Sequence, residues 1–167
     1  MTETEVSEWE FPVLLFSIHA EGVEDKLNNL LNKCDENDLR EVLQKYINFL
    51  EKILEKIKDS NRDSRAIKSL KKNKNNIQIL KDYSNGKLDF ESFIKKLKNE
   101  VALKNYGDNT NLVLFTLTCL NLAILFSKIA QGKKIEKKEI EKVLQCKIDN
   151  NLIIELENIV HKKLVTH

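Results

Sequence analysis

The run LVLFTLTCLNLAILFS, residues 112–127, decides the fold, because no charged residue interrupts it. A helix that is apolar on every side either spans a membrane or forms the centre of a bundle. The uncharged stretch extends only from Asn109 to Ser127 and contains Thr116, Thr118 and Asn121, just short of the roughly 20 apolar residues that a span wants. Several amphipathic segments flank it, and each needs an apolar partner. We therefore read about 110–131 as the buried central helix of a bundle and expect no membrane partner. Gly132 stops this helix, and Lys133 and Lys134 lie beside its C-terminal end, where cations suit the helix dipole.

Working outward, Asp89 is placed to cap a helix that buries Phe90, Phe93, Ile94, Leu97 and Val101. Before it, residues 61–83 carry a narrow stripe of Ile67, Leu70, Ile77, Leu80 and Tyr83 and stop at Ser84-Asn85-Gly86. Residues 38–59 give the clearest helical signal. Asp38 and Glu41 have capping-box spacing, and Leu39, Leu43, Tyr46, Leu50, Ile53 and Ile57 recur alternately at four and three. Such a heptad seam over 39–57 serves either an antiparallel partner within the chain or a homodimer. In residues 9–33, Gly22 divides two short helices; 136–146 and 150–164 add two more, the last with Asp149 as its cap. No stretch alternates apolar and polar residues as a half-buried strand does. The expected architecture is one all-α domain over 1–167, a single-domain bundle of about 6–8 helices around the hydrophobic central helix. Residues 1–8 are expected to be a flexible acidic leader.

Composition narrows the function. With 41% apolar and 32% charged residues and a net charge of +2, the chain has a balanced surface and not that of a polycation. Cys34, Cys119 and Cys146 are scattered, and the acidic N-terminus lacks the pattern of a secretory signal, so we expect a cytoplasmic protein with free thiols. His19, His161 and His167 have no second ligand at helical spacing. No phosphate loop, dinucleotide fingerprint or nucleophile elbow occurs. Acid pairs such as Glu51 with Glu55 and Glu136 with Glu139 alternate with lysines, as on a solvated face. We expect no metal, no cofactor and no catalysis.

Two surfaces remain. Trp9 and Phe11, beside the single proline Pro12, are either an aromatic anchor for a partner or a cover folded over the bundle's open end. From 62 to 81, Arg62, Arg65, Lys68, Lys71, Lys72, Lys74 and Lys81 face one acid, Asp63. Arg65, Lys68 and Lys72, with Asn75 and Asn76, share a face that could neutralise phosphates, although no aromatic residue interleaves it to stack a base. Asn105-Tyr106-Gly107-Asp108, just ahead of the central helix, is similar to the Asn-Trp-Gly-Arg of the Bcl-2 family, whose architecture this bundle resembles. Asp108 stands where that family has a ligand-gripping arginine, so the role is not carried over. The leading expectation is a non-catalytic module that binds another protein, such as a small regulator, inhibitor or immunity-type protein. A nucleic-acid-associated subunit using the basic face 62–81 is the alternative, and a divergent Bcl-2-like bundle the second.

Overall fold

The computed structural model describes residues 7–57, 64–101 and 110–162. Among them are nine α-helices, one short 3-10 turn and no strand. The turn Glu8–Glu10 leads into α1 (Phe11–Phe16), α2 (Val23–Lys33), α3 (Glu36–Lys56), α4 (Arg65–Lys72) and α5 (Lys74–Ser84). Then follow α6 (Phe90–Glu100), α7 (Thr110–Ala130), α8 (Lys137–Leu144) and α9 (Asn150–His161). This is the all-α bundle that the hydrophobic pattern predicts.

Local chemistry explains where the helices begin and end, and corrects three expectations. First, α3 starts at Asp35, not Asp38. Asp35 has extended backbone (φ −65°, ψ 130°) and accepts from the Asn37 amide. The Asp38 amide is already bonded to Asp35 O, so Asp38 lies inside the first turn, where it cannot act as a cap. Second, the segment expected as one helix over 61–83 breaks at Asn73. Its backbone leaves the helical region, and its Nδ2 donates to Ser69 O at 2.7 Å and Asn111 Oδ1 at 2.8 Å. That break makes nine helices where about six to eight were expected. Third, Glu136 and Glu139 are not merely a solvated pair. They form the capping box of α8, with Glu139 Oε2 accepting from the Glu136 amide at 2.8 Å. Gly22 at φ 80° provides the expected division between α1 and α2, a conformation glycine adopts without penalty.

α7 packs mainly against α1 and α4, with α8, α9, the 3-10 turn and α3 completing its surroundings. Its Phe115, Cys119, Leu122, Ala123, Phe126 and Ile129 are buried. Phe126 is the centre of an aromatic cluster, 5.5 Å from the Tyr46 ring, 5.7 Å from Phe49 and 6.2 Å from Trp9. The Tyr46 hydroxyl donates to Cys119 O at 2.5 Å and ties α3 to α7. The seam residues Leu39, Leu43, Tyr46, Leu50 and Ile53 are buried within the chain, where α3 packs on α9 and α5. The fold contains the internal reading of the seam, with these five side chains turned into the bundle. By length and composition α7 could also cross a membrane, at mean hydropathy 2.0, with 56% of its most apolar window buried in the bundle.

Two outcomes test this account. Phe126→Ala removes a ring held on three sides by aromatics and is expected to destabilise the fold by about 3–5 kcal/mol in urea melts. The Asp89 carboxyl caps α6 by accepting from the Ser92 amide at 2.7 Å, and these bonds hold its pKa below the ordinary 3.8. A group depressed in the folded state stabilises it above its unfolded pKa and loses that contribution as pH falls through the folded value. Asp89→Asn is therefore expected to flatten the loss of stability between about pH 5 and pH 2, read from melts across that range.

Candidate functional site

α7 is the central hydrophobic helix that the sequence predicts, but it is not enclosed on every side. Leu117 is 41% exposed and Ile124 39%, unusual values for large apolar side chains within so hydrophobic a helix. Asn121 is exposed between them, and Val113, Leu114 and Leu120 are half-buried. These positions recur at three and four, so they form one stripe along the helix. Buried Thr116, Thr118 and Ser127 lie elsewhere on α7. The Thr116 hydroxyl donates to Leu112 O at 2.9 Å.

α4 borders the N-terminal half of this stripe. Its Ala66, Ile67, Ser69 and Leu70 are buried, while Arg65, Lys68 and Lys72, spaced by three and four, form an exposed row. Between the two helices lies a groove of about 550 Å³, lined by Arg65, Lys68, Lys72, Asn111, Val113, Leu114 and Leu117. Its floor is apolar and its wall cationic. The Asn73–Asn111 hydrogen bond fastens α4 to α7 near the start of α7, and Ser64 caps the other end of α4 by accepting from the Ile67 amide. Elsewhere lysines meet acids, as in Lys81–Glu51 at 2.9 Å, Lys56–Glu155 at 3.2 Å and Lys128–Glu139 at 3.4 Å. Among the described residues, no carboxylate pairs with Arg65, Lys68 or Lys72.

The sequence-predicted residues are thus only partly brought together. Arg65, Lys68 and Lys72 share the groove, Lys71 is half-buried on the flank of α4, and Arg62 lies outside the described residues. Asn75 and Asn76 leave the face because the chain turns at Asn73. Trp9 and Phe11 are folded back onto the bundle. Trp9 packs on Phe126 beneath the Lys45 ammonium, 5.2 Å from the ring centre, and Phe11 is fully buried with its ring 6.3 Å from Tyr83. Phe11 therefore has no surface to offer a partner. The Asn105–Asp108 segment lies outside the described residues. Sequence reading missed Val113, Leu114, Leu117 and Ile124, although a signal was present. Asn121 and Lys128 fall in the same helical row as Leu117 and Ile124, and polar residues mark that row as the one facing water.

The chemistry elsewhere is sparse. Among the described residues, no group of three His, Cys, Asp or Glu is placed to hold a metal. Burial raises the Cys119 thiol above its usual range. His19 Nε2 faces the Lys98 and Val101 carbonyls at 3.1 and 2.8 Å, so it works as a tie between the α1–α2 turn and α6. A second cleft, of about 560 Å³, is lined by residues including Lys56, Lys147, Asp149 and Glu155, whose charges offset one another. Comparison of the chain with known protein families, curated proteins and solved structures returns no match.

The stripe and the inner face of α7 should respond differently to truncation. Leu122→Ala, at a fully buried site, is expected to cost about 2–5 kcal/mol. Leu117→Ala, with much of its side chain already in water, is expected to stay below about 1 kcal/mol. Chemical denaturation of the two variants measures the contrast.

Proposed function

We propose that the protein is a non-catalytic binding module that holds a segment of another protein in the α4–α7 groove. The observation that carries this reading is the exposed apolar stripe of α7 bordered by unpaired cations. Exposed apolar surface rimmed by polar groups marks interaction sites on soluble domains, and arginine is enriched at such sites. Occupation of the groove would cover Leu117 and place the Arg65, Lys68 and Lys72 row against polar groups of the partner.

A nucleic-acid role for the same cations is less favoured. Phosphates drawn to Arg65, Lys68 and Lys72 would lie over the apolar Val113, Leu114 and Leu117. No aromatic side chain lines the groove to stack a base.

Affinity capture from the native cell, with nuclease treatment, tests the proposal. Wild-type protein is expected to retain a stoichiometric protein partner. Leu117→Asp is expected to lose it, while Ile154→Asp, at a 57%-exposed position on α9, keeps it. Retention of the partner by Leu117→Asp would remove the groove from consideration. Nuclease-sensitive capture abolished by Lys68→Glu with Lys72→Glu would favour the nucleic-acid role instead.

A further inference from the structure

Resting on the reading of the α4–α7 groove as a partner site, we infer that its occupant is an acidic amphipathic helix. The floor sets the shape. Val113 and Leu117 line the groove and continue into Leu120 and Ile124 of the partly exposed stripe beyond it, recurring at four, three and four along α7, a row about 17 Å long at the rise of an α-helix. Such a row presents ridges and grooves at the spacing that a third helix matches with apolar residues at i, i+4, i+7 and i+11. Two other recurring modes of peptide capture lack their requirements here. Strand addition needs a sheet edge, and the described residues contain no strand. Polyproline capture needs an aromatic-lined groove, and Arg65, Lys68, Lys72, Asn111, Val113, Leu114 and Leu117 include no aromatic.

The wall sets the charge and its position. Arg65, Lys68 and Lys72 span most of the eight-residue α4, so they accompany the floor only from Asn111 to Leu117. Farther along, Lys128 is already paired with Glu139. Among the described residues, the groove's unpaired cations therefore stand beside one end of the stripe. The complementary helix carries its carboxylates at one end, on the flank beside the apolar row, and spaced by three and four. A second copy docked stripe to stripe is a poor match, because that stripe offers Asn121 and Lys128 and no carboxylate.

The test uses the full-length protein and two synthetic amphipathic helices of roughly four turns. Both have leucines at i, i+4, i+7 and i+11; one carries glutamates on the flank of its first two turns, the other lysines. Fluorescence anisotropy is expected to show binding of the glutamate helix alone, weakened by about tenfold when salt rises from low to physiological strength. Lys68→Glu with Lys72→Glu is expected to weaken it by about tenfold or more, with unchanged circular dichroism because both side chains are exposed. Equal binding of the lysine helix, indifference to the double substitution, or binding of neither peptide overturns the inference. The groove reading survives those results as long as Leu117→Asp still abolishes partner capture, and falls separately if it does not. Two further outcomes also overturn the acidic helix. One is a dimer by light scattering that Leu117→Asp dissolves, which makes a second copy the occupant. The other is mixed-sequence single-stranded RNA that displaces the glutamate helix.

Discussion

The desolvation of α7 is the constraint on which the other helices depend. Apolar surface left in water costs roughly 25 cal/mol per Å², and a helix with no charge through most of its length has such surface on nearly every side. Three of its neighbours are short. α1 has six residues and α4 and α8 have eight each, well below the length at which an isolated helix persists in water. They are helical because α7 gives their apolar stripes something to cover. Covering and being covered are then one event, and removing a ring such as Phe126 from the inner face of α7 weakens several helices together.

Around this contact the polar groups mainly fix orientation. Tyr46 reaches the backbone of α7 at Cys119, so α3 is fixed both in rotation and along its length. On the other side of the bundle, Arg40 lies over the Tyr83 ring, 4.3 Å from its centre, and donates to the Tyr83 carbonyl. Tyr83 itself stacks on Phe93 at 4.4 Å and donates its hydroxyl to Glu36 at 3.1 Å. Burial, with the Glu36 carboxylate next, raises the Tyr83 hydroxyl above its usual range and keeps it a donor. One guanidinium thus joins α3 to the α5–α6 corner through ring face and carbonyl, and the Glu36 carboxylate of α3 adds a second tie by receiving the Tyr83 hydroxyl. Lysine would reproduce the charge but not the flat stacking surface.

Features of the fold that depend on period, and some of its caps and stops, were legible in the sequence. The heptad row of α3, the cap at Asp89 and the stop at Gly132 each state a local preference that packing has no reason to override. The features that were not legible depend on distant partners. Nothing local in Ser69-Leu70-Lys71-Lys72-Asn73 distinguishes a break from a continuing helix; the break is held by Asn111, on a helix nearly forty residues away. Phe11 read as a cover or an anchor, and the sequence alone could not choose, because its destination beside Tyr83 is a tertiary fact. The groove was half legible. Its cations stood out as a run, but its floor was concealed within a segment whose hydrophobicity argued for complete burial.

The break at Asn73 also fixes where the chain leaves α7. A straight continuation of α4 would run on past its contact with α7 and bring residues 74–84 along with it. Instead the Asn73 side chain bonds back to Ser69 and across to Asn111, and α5 turns away to pack on α3 and α6. Ile77, Leu80 and Tyr83 are buried in that second contact, so the turn gives the bundle a larger core. The cover that α4 gives the outer face of α7 is short, because α4 has only eight residues. Val113, Leu114, Leu117 and Ile124 are left partly in water at a cost of order 1 kcal/mol each, a small loss beside the burial of three large side chains on α5. Because α4 stops at Asn73, its three outward cations stay grouped beside one end of the stripe and give the groove its polarity.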